Sequence, residues 1–88
     1  MGTNNISSLE PLNKEALENY PSQPYFYYVQ GYLLNKKNKN KAAIDFLETA
    51  LDYVFDDVQM QNKIYQQLVD AYTALNNSSK ANMYLRMI

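Results

Sequence analysis

The chain has no cysteine, no histidine and no tryptophan, and only two glycines and three prolines in 88 residues. Without cysteine there is no disulfide, no thiolate metal site and no cysteine nucleophile. Without histidine the commonest general base and the commonest metal ligand are gone. Eight basic residues against nine acidic ones leave a formal net charge of −1, so the basic excess of a nucleic-acid or membrane-surface binder is missing. No apolar run approaches the roughly 18 residues of a membrane span, and no signal-peptide pattern opens the chain. Glycine-rich phosphate loops, G-x-S-x-G and H-E-x-x-H are absent too. The expectation is a protein that is not an enzyme, holds no cofactor or metal, contacts no nucleic acid and does not insert into a membrane. Its compartment is the cytoplasm by default, or the periplasm if a targeting segment was removed ahead of Met1-Gly2-Thr3-Asn4-Asn5.

What is present is a globular composition, 47% hydrophobic and 19% charged, which excludes a disordered chain. Pro11, Pro21 and Pro24 all fall early, and from residue 25 onward no proline interrupts apolar residues that recur at three- and four-residue steps. The pattern predicts five helices. The first runs from about Ser8 to Tyr20, capped by Ser7 or Ser8, with Leu9, Leu12, Ala16, Leu17 and Tyr20 as its stripe. Pro11 is tolerated near its start, and Pro21 stops it. The second runs from Pro24 to about Asn35 and ends in the polar turn Asn35-Lys36-Lys37-Asn38-Lys39-Asn40. The third spans about Asn40 to Phe55, after which Asp56 or Asp57 caps a fourth from about Val58 to Leu75. Ser78 or Ser79 then caps a fifth, running to Ile88. Residues 1–6 read as a disordered lead-in or tag remnant ahead of a single domain, residues 7–88.

The helices repeat. Ala16 and Ala50 stand 34 residues apart, each late in a helix that turns into an aromatic one. Tyr27-x2-Gln30-Gly31-x2-Leu34 is followed by Ala43-x3-Leu47-x2-Ala50, and then Tyr65-x2-Leu68-Val69-x2-Tyr72 by Ala81-x3-Leu85. Gly31, Ala43 and Ala50 are small where paired helices approach, while Tyr27, Leu34, Leu47, Tyr65, Tyr72 and Leu85 are large where a gap needs filling. This register resembles the tetratricopeptide repeat family, whose helix–turn–helix signature is W-x2-L-G-x2-Y, then A-x3-F, then P, over about 34 residues. The resemblance covers nearly the whole chain as about two and a half units: a half repeat over 7–23, a repeat over 24–57 and another over 58–88. It implies an all-α fold of antiparallel helix–turn–helix repeats wound as an α–α superhelix. Gln30 stands where leucine is usual, Val69 replaces the second glycine, and Ile88 replaces an alanine. Ala81 follows Ala43 by 38 residues, so the last unit has about four extra, which one added helical turn would absorb. An ordinary antiparallel bundle shares this secondary structure but closes on its core, whereas a repeat array leaves a concave groove.

Function follows from the surfaces such an array offers. The nine tyrosines are the compositional outlier, and Tyr25, Tyr28 and Tyr32 recur as one helical stripe. The resemblance implies that they line the groove with Asn35 and Lys36, and that Lys63, Gln66, Asp70 and Thr73 continue it on the next repeat. The expected function is a protein–protein interaction scaffold that binds a peptide or protein segment in a tyrosine-lined groove. The preceding half repeat can instead cover some of these tyrosines. Tyr28 and Tyr32 stand where family members that clamp acidic chaperone tails carry lysine and asparagine, so that ligand is disfavoured. The acidic pairs Asp45/Glu48 and Asp52/Asp56, and the lysines 36, 37, 39 and 41, read as solvated surface. The closing Met83-Tyr84-Leu85-Arg86-Met87-Ile88 is apolar, and exposed apolar ends mark interaction sites. The alternative expectation is therefore a homo-oligomer assembled through Tyr84, Leu85 and Ile88. Asparagine-, lysine- and tyrosine-rich usage points to an AT-rich genome and a longer bacterial parent protein.

Overall fold

The computed structural model describes the backbone of residues 2–88 and the side chains of residues 8–88. The fold is all-helical: α1 Gly2–Asn19, α2 Pro24–Lys36, α3 Asn40–Tyr53, α4 Val58–Ala74 and α5 Ser78–Leu85. Each helix packs on the next in sequence, and α2 also meets α4. Tyr27, near the start of α2, stacks on Tyr53 at the end of α3 with centroids 5.5 Å apart, so these two helices run antiparallel.

The turns explain the asparagine content. Asn38, Asp56 and Asn76 each adopt the left-handed conformation, with φ of 62°, 55° and 61°. Asparagine and aspartate tolerate that region better than other residues bearing a Cβ. After α2, the Asn38 N–H donates to the Asn35 carbonyl and the Lys39 N–H to the Leu34 carbonyl. After α4, Asn76 and Asn77 do the same toward Thr73 and Tyr72. Both ends are thus closed by the paired bonds that satisfy the last helical carbonyls. Asp57 caps α4 by accepting from the Met60 N–H at 3.0 Å. At α5 the cap is Asn77, accepting from the Lys80 N–H at 3.1 Å, and not either of the expected serines.

Three boundaries differ from expectation. The backbone of α1 is helical from Gly2, which places Pro11 in mid-helix, where it withdraws one helical hydrogen bond. Met1 lies outside the described residues. Helix α3 ends at Tyr53 because Val54 is extended, and α5 ends at Leu85 rather than at the terminus. The four extra residues of the last unit do form one added turn: α4 has 17 residues against 13 in α2.

The core is Leu34, Ala43, Ile44, Leu47, Ala50, Ile64, Leu68, Ala71 and Tyr84. Gly31 of α2 faces Leu47 of α3 so closely that a Cβ there would lie 2.6 Å from Leu47 Cδ2 and nearer still to Cγ. The glycine is therefore what allows this approach. Gln30 is 1% exposed despite being polar. Its Oε1 accepts from Asn13 Nδ2 at 3.1 Å and its Nε2 donates to Glu10 at 3.2 Å. Asn13 Nδ2 also donates to the Phe26 carbonyl at 2.9 Å. The α1–α2 contact is thus built on a satisfied polar network, which accounts for glutamine at a position expected to hold leucine. The Lys37 ammonium bonds Glu10 from the solvent side and, with burial opposing it, holds that carboxyl below its usual range.

Candidate interaction surface

Helices α2 and α4 lie side by side, tied by Asn35. Its Nδ2 donates to the Gln67 carbonyl at 3.1 Å and to Gln67 Oε1 at 2.9 Å, while its Oδ1 accepts from Asn40 at 2.9 Å. The amide of Asn35, one of the residues expected in the groove, is engaged in positioning the two helices. Beside this tie, Lys63, Gln66, Asp70 and Thr73 of α4 all reach solvent, with Gln66 Nε2 donating to Asp70 at 3.2 Å. These four contribute little to the core.

On α2 the three stripe tyrosines divide. Tyr25 is 52% exposed and sits edge-on to Phe26, 5.4 Å between centroids. Tyr28 and Tyr32 are both half-buried, and their rings pair at 6.5 Å. Tyr28 packs against the core, and burial pushes its phenol above its ordinary value, helped by the neighbouring Tyr32 and Tyr25. The Lys36 ammonium lies 5.3 Å from the Tyr32 ring centroid, within cation–π range. The preceding helix α1 leaves Tyr25 largely uncovered, so the exposed aromatic area is Tyr25 with the outer faces of Tyr28 and Tyr32.

The expected terminal interface needs one correction. Tyr84 is 8% exposed and belongs to the core. Its ring lies between Tyr65 and Tyr72, with centroids 5.8 Å and 6.0 Å away, and its hydroxyl donates to Glu48 Oε2 at 3.2 Å. Tyr72 donates to the same oxygen at 3.2 Å. Burial, and then the Glu48 carboxylate, push the Tyr84 phenol up to about 12 and raise that of Tyr72 as well. Leu85, expected to fill the gap between paired helices, is instead 52% exposed, and Ile88 is 51% exposed. The physical reason lies one helix back: where α2 offers Gly31, α4 offers branched Val69, and α5 seats an aromatic ring against Tyr65 and Tyr72. Glu48, read from sequence as solvated surface, is thereby the shared acceptor that joins α3, α4 and α5. Its signal was available only as a carboxylate whose tyrosine partners lie 24 and 36 residues away.

Two further features complete the surface. A wide depression of roughly 610 Å³ opens between α3 and α4, lined by Lys41, Ile44, Asp45, Tyr72, Leu75 and Asn77. Among the described residues no helix is long and apolar enough to cross a membrane, and no three acidic side chains gather as metal ligands. No protein-family model, no curated protein and no solved structure matches this chain.

Proposed function

We propose that the chain is a protein–protein interaction scaffold of tetratricopeptide type, which holds a peptide segment along the neighbouring faces of α2 and α4. The observation that carries this reading is the juxtaposition of α2 and α4 through Asn35 and Gln67. Of these two neighbouring helices, α2 carries the part-exposed Tyr28 and Tyr32 and α4 the solvent-facing Lys63, Gln66, Asp70 and Thr73. Tyrosine supplies rigid contact area with a hydroxyl at low entropic cost, and the amide and charged groups of α4 supply hydrogen bonds to a backbone. The repeat reading is supported by the Gly31–Leu47 approach and by the extra turn in α4 that keeps the second unit in register.

Selection of random peptides displayed on phage tests the groove directly. The expected result is a family of peptides bound by the wild-type protein and lost by Tyr32→Ala combined with Lys63→Ala, with helical content unchanged by circular dichroism. Peptides that bind the double variant as tightly as wild type would sink the proposal. A second reading, self-assembly through the C-terminal helix, is favoured by the exposure of Leu85, Met87 and Ile88.

A further inference from the structure

The two ends of the helical stack carry complementary surfaces. Helix α1 packs on α2 alone, and the backbone of α5 closely approaches only α4. Among the described residues, α1 and α5 each therefore have a side with no helix against it. At the first end Leu12 is 62% exposed, and it lines a shallow depression of roughly 210 Å³ with Leu9, Ala16, Tyr25, Phe26 and Val29. At the other end Leu85, Met87 and Ile88 each expose about half their surface.

The unmatched charges on the helices that carry these patches are opposite in sign. Glu10 of α1 is already matched by Lys37 and Lys14. Glu15 and Glu18 are exposed and form no ion pair among the described residues. Lys80 and Arg86 at the α5 end are likewise exposed and form none. Helix α1 thus carries two unmatched carboxylates together with the apolar hollow at one end, and the segment from α5 to the last residue carries two unmatched cations together with the apolar projection at the other. Two α5 ends placed together would set like charges against each other, which disfavours a symmetric contact through that helix.

We infer that the occupant of the α1–α2 hollow is a second copy of this chain, whose α5 end docks there head to tail. The inference rests on the second reading above, self-assembly, and names the surface that receives the C-terminal helix. Apolar contact supplies the attraction, and the unmatched charges set the orientation. Because the two docking surfaces differ, a docked pair still presents one free surface of each kind, and association continues with concentration instead of stopping at a dimer.

Sedimentation velocity over a concentration series tests this with two blocked variants, Leu12→Lys at the α1 end and Ile88→Asp at the α5 end. Wild type is expected to form species that grow with concentration. Each variant alone should stay monomeric, and their equimolar mixture should give a dimer that grows no further, since each retains one intact end. Self-association of Leu12→Lys alone would overturn head-to-tail docking while leaving self-assembly through α5 standing. A wild type that stays monomeric throughout would overturn both, and a mixture that stays monomeric would overturn the pairing of these two ends. Both positions are exposed, and circular dichroism checks the fold. The charge variants Glu15→Lys/Glu18→Lys and Arg86→Glu, expected to behave as the corresponding blocked ends, replace either variant that loses helix.

Discussion

Gly31→Ala puts the closest helix approach in the protein under test. In an isolated helix this exchange would stabilise by about 1 kcal/mol, because alanine loses less backbone freedom than glycine. Here the new Cβ would sit 2.6 Å from Leu47 Cδ2 and nearer still to Cγ, against an optimal carbon–carbon separation of about 3.5–4.0 Å. Leu47 is 0% exposed, and Cγ is a branch point that cannot swing clear as a chain end can. Helices α2 and α3, the most extensive helix pair, must therefore separate by about 1 Å, which forfeits a quarter to a half of each contact's attraction. Overpacking of this kind costs about 1–3 kcal/mol. With the propensity gain set against it, a net loss of up to about 2 kcal/mol is expected. Urea denaturation followed by circular dichroism reads this as a lower midpoint with an unchanged slope. Leu47→Ala costs about 2–5 kcal/mol by itself, but it removes the obstructing atoms. Gly31→Ala added to that background should then be neutral or stabilising, a coupling of about 1–3 kcal/mol. A single Gly31→Ala variant more stable than wild type would refute the close-approach account.

Asn76→Val should destabilise by about 1–2 kcal/mol, because a branched side chain is strained at φ of 61°, whereas Asn76→Gly should be close to neutral; thermal melts separate the two. Asn13→Ala leaves the Gln30 Oε1 without its donor inside the α1–α2 contact, and a loss of about 1–3 kcal/mol is expected in the same denaturation assay. In alkali, the folded-state phenol of Tyr84 lies at about 12, above the ordinary tyrosine value of 10. Its contribution to stability is therefore complete below pH 10 and falls as pH rises from 10 to 12, while the unfolded chain ionises first. Tyrosinate absorbance should show Tyr84 titrating late in wild type, and Tyr84→Phe should remove that late component.

Most of the helices were legible in the chain, for a local reason. Apolar spacing, Pro24, Asp57 and the asparagine turns act within a few residues, so α2, α3 and α4 begin where the pattern predicts. The lengthened α4 was legible as well, because an insertion that preserves the buried face has to add a whole turn. Lys63, Gln66, Asp70 and Thr73, which the family resemblance implies face a groove, all reach solvent. The tie from Asn35 to Gln67 was not legible in the sequence, because the partner lies 32 residues away on another helix. Gln30 looked like a defect in the pattern until Asn13 and Glu10 supplied its partners.

The C-terminal helix shows where local pattern ends. By itself the sequence determined an all-helical chain, its turns, the small residue at the closest approach and the absence of histidine and cysteine chemistry. All of these follow from residue type and from spacing along one strand of backbone. Only the tertiary structure decided that Tyr84 and not Leu85 faces inward. Adjacent positions on a short helix differ by about 100° in direction. Which of the two is buried depends on the shape that Val69, Tyr65 and Tyr72 present from α4, and on a carboxylate, Glu48, contributed by α3.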